Sequence, residues 1–419
     1  MQDKIKINIH LPEELEKLYR SDSQKFETGF KEIYAEFEND DLVNFWRIRL
    51  AYDKAGERIK SFQWADIALL IATCLITSFF IKLPDLFTGK LPDYQFYQKN
   101  AGIIVLFGLS IFAFWTNKIT DPKKIAFIVT AFIVTALYIN LLPSDPLSQS
   151  LNLAFIHLPI LMWFVYGIVY INFDMKDKRK RIDYIIYNGD VAVLGAVILA
   201  AGGILAVITV GLFSAIGISI ERFYMEYVAI CGVASAPVVA TYIIQNFPTF
   251  TNKIAPIIAK IFSPLVLVTL VIYVFTLAVS GKNPYNSRDI LIIFNLMLLG
   301  VMAIIIFSIS EISIYKKQRF NEMILFILSG ITLIIDLVAL SAIFYRLNAY
   351  GITPNRIAVL VSNLLISGNL VLIMMDLYRV NFRKAMIGEV EFTISKYLPL
   401  YAIYAFFIVF GFPLIFSLR

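Results

Sequence analysis

Asp336 lies near the middle of an apolar run from Met323 to Phe344, and a carboxyl so placed could carry a proton or a cation. An Asp at the centre of a membrane helix costs about 2.5–3.5 kcal/mol on insertion scales. Twelve Leu, Ile, Phe or Val between Ile324 and Leu340 offset this by roughly 4–7 kcal/mol in total. The helix therefore inserts despite the Asp, whose plainer role is an ion pair or a hydrogen bond between helices. His157, two residues before Pro159 in another apolar run, could act as a proton relay, because an imidazole titrates near pH ~6.5. Its plainer role is likewise a hydrogen bond that fixes its neighbours. Asn295, Asn363 and Asn369 are uncharged candidates for the same polar path, although intramembrane amides commonly tie helices together.

Pro237, Pro256 and Pro264 form a second group, candidate hinges or helix breaks. Transporters use interrupted helices to expose backbone groups to substrate near the bilayer midplane. Pro399 and Pro413 belong to the same pattern, and Gly195, Gly202, Gly203 and Gly211 read more simply as positions of close helix contact.

Other chemistry is poorly supplied. The chain has no H-E-x-x-H, no G-x-S-x-G, no glycine-rich phosphate loop and no cysteine pair at zinc spacing. No metal, cofactor or catalytic residue is expected on these grounds, and an enzyme is the less favoured class. Cys74 and Cys231 each lie inside an apolar run, where a structural disulfide of an oxidising loop cannot form.

The elements that must position these groups follow from composition. Of 419 residues, 59% are hydrophobic and 16% charged, where a soluble domain has about 45–50% and about 25%. The expected fold is all-α: a polytopic transmembrane helix bundle over residues 61–419, preceded by a small three-helix cytoplasmic domain over residues 1–60. About eleven segments are long enough to approach or cross a hydrocarbon core of about 30 Å. They run 62–81, 100–115, 125–142, 152–171, 191–213, 228–245, 261–279, 290–309, 323–344, 357–375 and 397–417. The stretch from Val191 to Ile220 has room for an additional re-entrant piece. In the N-terminal part, helices are expected over Leu11–Arg20, after a capping box at Ser21-Asp22-Ser23-Gln24, and from Asp41.

Lysine and arginine set the orientation, since cytoplasmic loops carry the excess. With the N-terminus inside, 28 of the 37 Lys and Arg fall on the cytoplasmic side, among them Lys176, Lys178, Arg179, Lys180 and Arg181 in one loop. The C-terminus then lies outside, and the basic run marks topology beside anionic lipid rather than a nucleic-acid site.

The segments PEELEKLYR, FKEIYAEF and LVNFWRIRLAY, with ERFYMEYVAICGVASAPVVATYI, NKIAPIIAKIFSPLVLVTLVIYV and SGKNPYNSRDILIIFNLMLLGVMA, resemble an uncharacterised group of bacterial multi-pass membrane proteins. The group is known as domain of unknown function 4153. The resemblance spans roughly residues 10–60 and 185–320 and implies a bacterial plasma (inner) membrane and a multi-helix architecture. It supplies no activity and no site residues.

The favoured function is a transporter or channel-like protein with a polar path lined by Asp336, His157 and nearby Asn residues. A membrane sensor or envelope assembly factor, binding a cytoplasmic protein partner through residues 1–60, is the alternative. A membrane-embedded lipid or envelope enzyme is a third. Membrane lipids are the expected partners throughout, and nothing in the residues fixes an oligomeric state.

Overall fold

A computed structural model describes residues 1–37, 40–57, 64–86, 93–143, 145–215, 218–247, 263–275, 279, 285, 288–310, 319–383 and 385–417. Among the described residues the fold is all helical, with no strand. The chain divides into two compact units, Met1–Asp66 and Ile67–Arg419.

The first unit contains α1 (Gln2–Ile7), α2 (Pro12–Ser21), α3 (Ser23–Ile33) and α4 (Asp41–Glu57). Helix α1 had no counterpart in the expected three, because its polar run carries Ile5 as the only residue that packs fully inward. The start of α3 also differs from the expected capping box: Asp22 is the cap, its carboxylate accepting from the Lys25 amide at 3.0 Å. Asp40 caps α4 in the same way, accepting from the amides of Leu42 and Val43. The helices close on Phe26 and Trp46, whose ring centres lie 5.0 Å apart, with Leu15, Phe30 and Val43 around them. Burying Phe26 alone contributes about 1.5–3 kcal/mol. At the rim, Glu16 pairs with Arg20 and Arg49. Partial burial pushes its carboxyl up, but the arginine hydrogen bonds outweigh burial and hold it below the usual range.

Helix α5 (Trp64–Ile81) falls in the second unit from Ile67 onward, and the unit contains the short α6 (Leu83–Leu86), α7 (Asp93–Thr116), α8 (Pro122–Leu141), α9 (Gln149–Tyr170) and α10 (Lys178–Ala215). It continues with α11 (Glu221–Asn246), α12 (Ser263–Phe275), α13 (Arg288–Ser310), α14 (Arg319–Tyr350), α15 (Pro354–Arg383) and α16 (Gly388–Ile415). Among the described residues nine helices are long and apolar enough to cross a membrane. The two remaining expected segments fall on shorter apolar helices, Ser263–Phe275 and Met297–Ile309.

Helix α10 corrects one expectation. The Val191–Ile220 stretch holds no re-entrant piece among the described residues up to Ala215; α10 is one continuous helix of 38 residues that begins at Lys178. At 1.5 Å per residue it is about 57 Å long. The four glycines expected to make close helix contact do not make it. A Cβ on Gly195, Gly202, Gly203 or Gly211 would meet nothing within 4 Å. Close approach falls at other glycines: a Cβ on Gly189, earlier on α10, would overlap the Phe307 ring of α13, and one on Gly102 of α7 would stand 2.7 Å from the Pro159 ring of α9.

Two large cores dominate the packing among the described residues of this unit. One gathers Phe112, Ile128, Leu158, Met162 and Tyr166 from α7, α8 and α9. The other gathers Phe294, Ile305, Leu325, Leu328, Leu370, Ile373 and Val390 from α13 to α16. In lipid such packing is driven by van der Waals fit and by hydrogen bonds between helices. The second core contains the polar residues of interest.

Candidate functional site

Helix α15 is the axis of the site, and its polar residues fall on two opposite faces. At 100° per residue, Arg356, Asn363 and Ser367 share one face, while Ala358, Asn369 and Asp376 share the other. On the first face, Asn363 donates its amide N–H to the Asn295 side-chain oxygen of α13 at 2.9 Å. One turn further along, the Ser367 hydroxyl donates to Asp336 Oδ2 of α14. Asp336 is fully buried, and its other oxygen, Oδ1, has no hydrogen-bond partner among the described residues.

This face leads to a cavity. A space of about 390 Å³ at the junction of α14 and α15 is lined by Asn295, Arg346, Thr353, Asn355, Arg356 and Val359, with Gln149 from α9. A neighbouring space of about 610 Å³ shares Gln149 and Thr353 and adds Asp145, Ser148 and Ser417. Asn295 therefore both lines the cavity and bonds Asn363. Along α15 the rise from Arg356 to Ser367 is about 16 Å, roughly half of a hydrocarbon core. Asp336 lines neither space; apolar packing closes around it.

The opposite face belongs to α16. Asn369 donates to the Tyr401 hydroxyl at 3.1 Å, Tyr404 donates to the Ala358 carbonyl at 3.0 Å, and Thr393 donates to Asp376. His157 joins this side. Its Nε2 lies 3.3 Å from the Tyr404 hydroxyl and its Nδ1 is 2.8 Å from the Leu153 carbonyl of its own helix. The sequence candidates thus separate into Asp336, Asn295 and Asn363 on one side of α15, and His157 and Asn369 on the other. The expected single path through Asp336 and His157 is not what the packing forms.

The expected helix breaks have different outcomes. Pro237 sits inside α11, which continues through it, with Thr241 donating to the Pro237 carbonyl at 2.8 Å. Pro264 is the second described residue of α12, and the residues before Ser263 lie outside the described ones. Pro256 lies outside the described residues. Pro399 does free a carbonyl, that of Ser395, and the Arg181 guanidinium donates to it at 3.2 Å.

Ser367, Tyr401, Tyr404, Arg346 and Arg356 were not among the sequence candidates. The spacing of seven and four between Arg356, Asn363 and Ser367 is the signal that could have found one set. Among the described residues, no three His, Cys, Asp or Glu gather as metal ligands. No family model, curated protein or solved structure matches the chain.

Proposed function

We propose that the chain is a transporter or channel-like protein of a bacterial plasma membrane, with its polar path along the face of α15 that meets α13 and α14. The observation that carries this reading is Asn295, which lines the 390 Å³ cavity and bonds Asn363, one turn from the Ser367–Asp336 pair. In this reading the cavity is a mouth, the two amides are its floor, and Asp336 is the group that takes up and releases a proton or cation when the floor parts. An intramembrane carboxyl with one oxygen unpartnered suits that task, because uptake supplies the missing interaction. His157 and Asn369 then hold α9, α15 and α16 together.

Charge asymmetry between loops supports eleven spans with the N-terminus inside and the C-terminus outside. The cavity mouth, which includes Gln149, Arg346 and Arg356, then faces outward. The test is reconstitution: vesicles holding the protein dissipate an imposed proton or solute gradient that protein-free vesicles retain. Equal decay across a panel of ions and small solutes would refute the reading.

A second reading, a sensor that binds a cytoplasmic protein, is favoured by one observation. Phe45 and Ile48 are exposed three residues apart on α4. Removing residues 1–60 should then abolish the phenotype of the gene while leaving gradient dissipation intact.

A further inference from the structure

Arg346 and Arg356 come from different helices, α14 and α15, and both line the 390 Å³ cavity. Their guanidinium carbons lie 5.9 Å and 5.6 Å from the centre of the same ring, that of Tyr350, so both charges lie beside one side chain on the rim. Arg356 donates through Nη1 to the carbonyls of Tyr350 and Gly351, and its Nε and Nη2 have no acceptor among the described residues. Arg346 makes no hydrogen bond and no ion pair among the described residues. Among the described residues no Asp or Glu lines the cavity. Asp145 lines the adjoining space and accepts from the Leu147 amide at 2.9 Å.

Two like charges beside a low-dielectric core repel, and no acidic side chain among the described residues pairs with either of them. The start of α15 is not the attraction, because its first free amides are already taken: Asn355 donates to Gln149 and Arg356 to the Thr353 hydroxyl. What remains is a pair of guanidiniums with open donors, facing a space with amide and hydroxyl groups around it. Guanidinium forks match the oxygens of phosphoryl groups, and two of them match a doubly charged one.

We infer that this cavity binds a phosphoryl oxyanion, either free phosphate or the phosphate of a lipid headgroup in the facing leaflet. The inference rests on the proposed path for its location at the mouth, and it names the class of ligand that the mouth selects. A bound oxyanion neutralises both arginines and accepts from their unpaired donors, with Asn355 and Asn295 available at the side and floor.

The test uses the full-length protein in nanodiscs of zwitterionic lipid, titrated with inorganic phosphate. Arg346→Gln carries it, because Arg346 makes no hydrogen bond and no ion pair among the described residues; Arg356→Gln and Arg356→Lys accompany it. Wild type should bind phosphate, and Arg346→Gln should weaken binding by about tenfold or more, as expected for a lost charged hydrogen bond. Native mass spectrometry supplies the second arm. A phospholipid that is retained by wild type and lost from Arg346→Gln, with no response to free phosphate, also supports the site and identifies a headgroup as its source. Wild type and Arg346→Gln behaving alike in both arms would overturn the inference. Asp336→Asn separates this outcome from the wider reading: binding unchanged with unchanged flux would refute the path while leaving the oxyanion site standing.

Discussion

Asn295 and Asn363 meet across α13 and α15 through a 2.9 Å amide bond, and Asn295 also forms part of the wall of a polar cavity. The pair therefore divides open space from the buried Ser367–Asp336 bond below it. Asparagine in lipid that pairs only with another asparagine is a modest tie, averaging about 0.6 kcal/mol and reaching about 1.7 kcal/mol in measured membrane helices.

That magnitude gives a first prediction. In a double-mutant cycle of Asn295→Ala and Asn363→Ala, reversible unfolding in bicelles should show a coupling of about 0.6–1.7 kcal/mol. Additive single effects would mean that the two amides do not hold one another. A weak tie is also what a floor that opens requires, since a stronger one would lock the path.

Close packing gives a second. Gly102 admits the Pro159 ring, so Gly102→Leu forces α7 and α9 apart and should cost about 1–3 kcal/mol, read in the same unfolding assay. Gly203→Leu on α10 meets open space and should be tolerated. Equal costs at both positions would contradict the assigned contacts.

The contrast between these glycines illustrates what was legible in the sequence. Long apolar runs marked the helices, because hydropathy over about twenty residues is a property of the segment and not of its neighbours. Which way each helix turns was not marked. A membrane helix apolar on nearly every side carries no hydrophobic stripe, so the glycine-rich α10 looked like a packing face while Gly102 drew no notice. The same reason explains the site. Asp336, Asn295 and Asn363 stood out by type, yet their separation from His157 depends on which face of α15 each partner meets. Arg346 and Arg356 passed as loop charges, because their convergence exists only after α14 folds back beside α15.

The N-terminal unit supplies a pH-dependent prediction. Glu16 titrates below its unfolded value of about 4.3, so its contribution is fully present above that value and is lost as pH falls through the lowered native one. The pairs with Arg20 and Arg49 are partly exposed, which limits the effect to about 1 kcal/mol or less. Hydrogen exchange of residues 2–50 in the full-length protein should show Glu16→Gln less protected than wild type at about pH 6, with the gap narrowing as pH falls below about 4.3. A gap that does not change with pH would contradict the assigned ion pairs.

The central claim is that Asp336 is the working group of a path and not merely a strut. The most direct measurement is proton or solute flux in proteoliposomes made with wild type, Asp336→Asn and Ser367→Ala, at equal amounts of folded protein. Asparagine keeps the size of the carboxyl and can still bond Ser367, so a purely structural role survives the exchange. The account predicts that Asp336→Asn reduces flux to the level of empty vesicles, and that Ser367→Ala shifts its pH dependence by removing the one donor to the carboxyl. Flux through Asp336→Asn equal to that of wild type would contradict it.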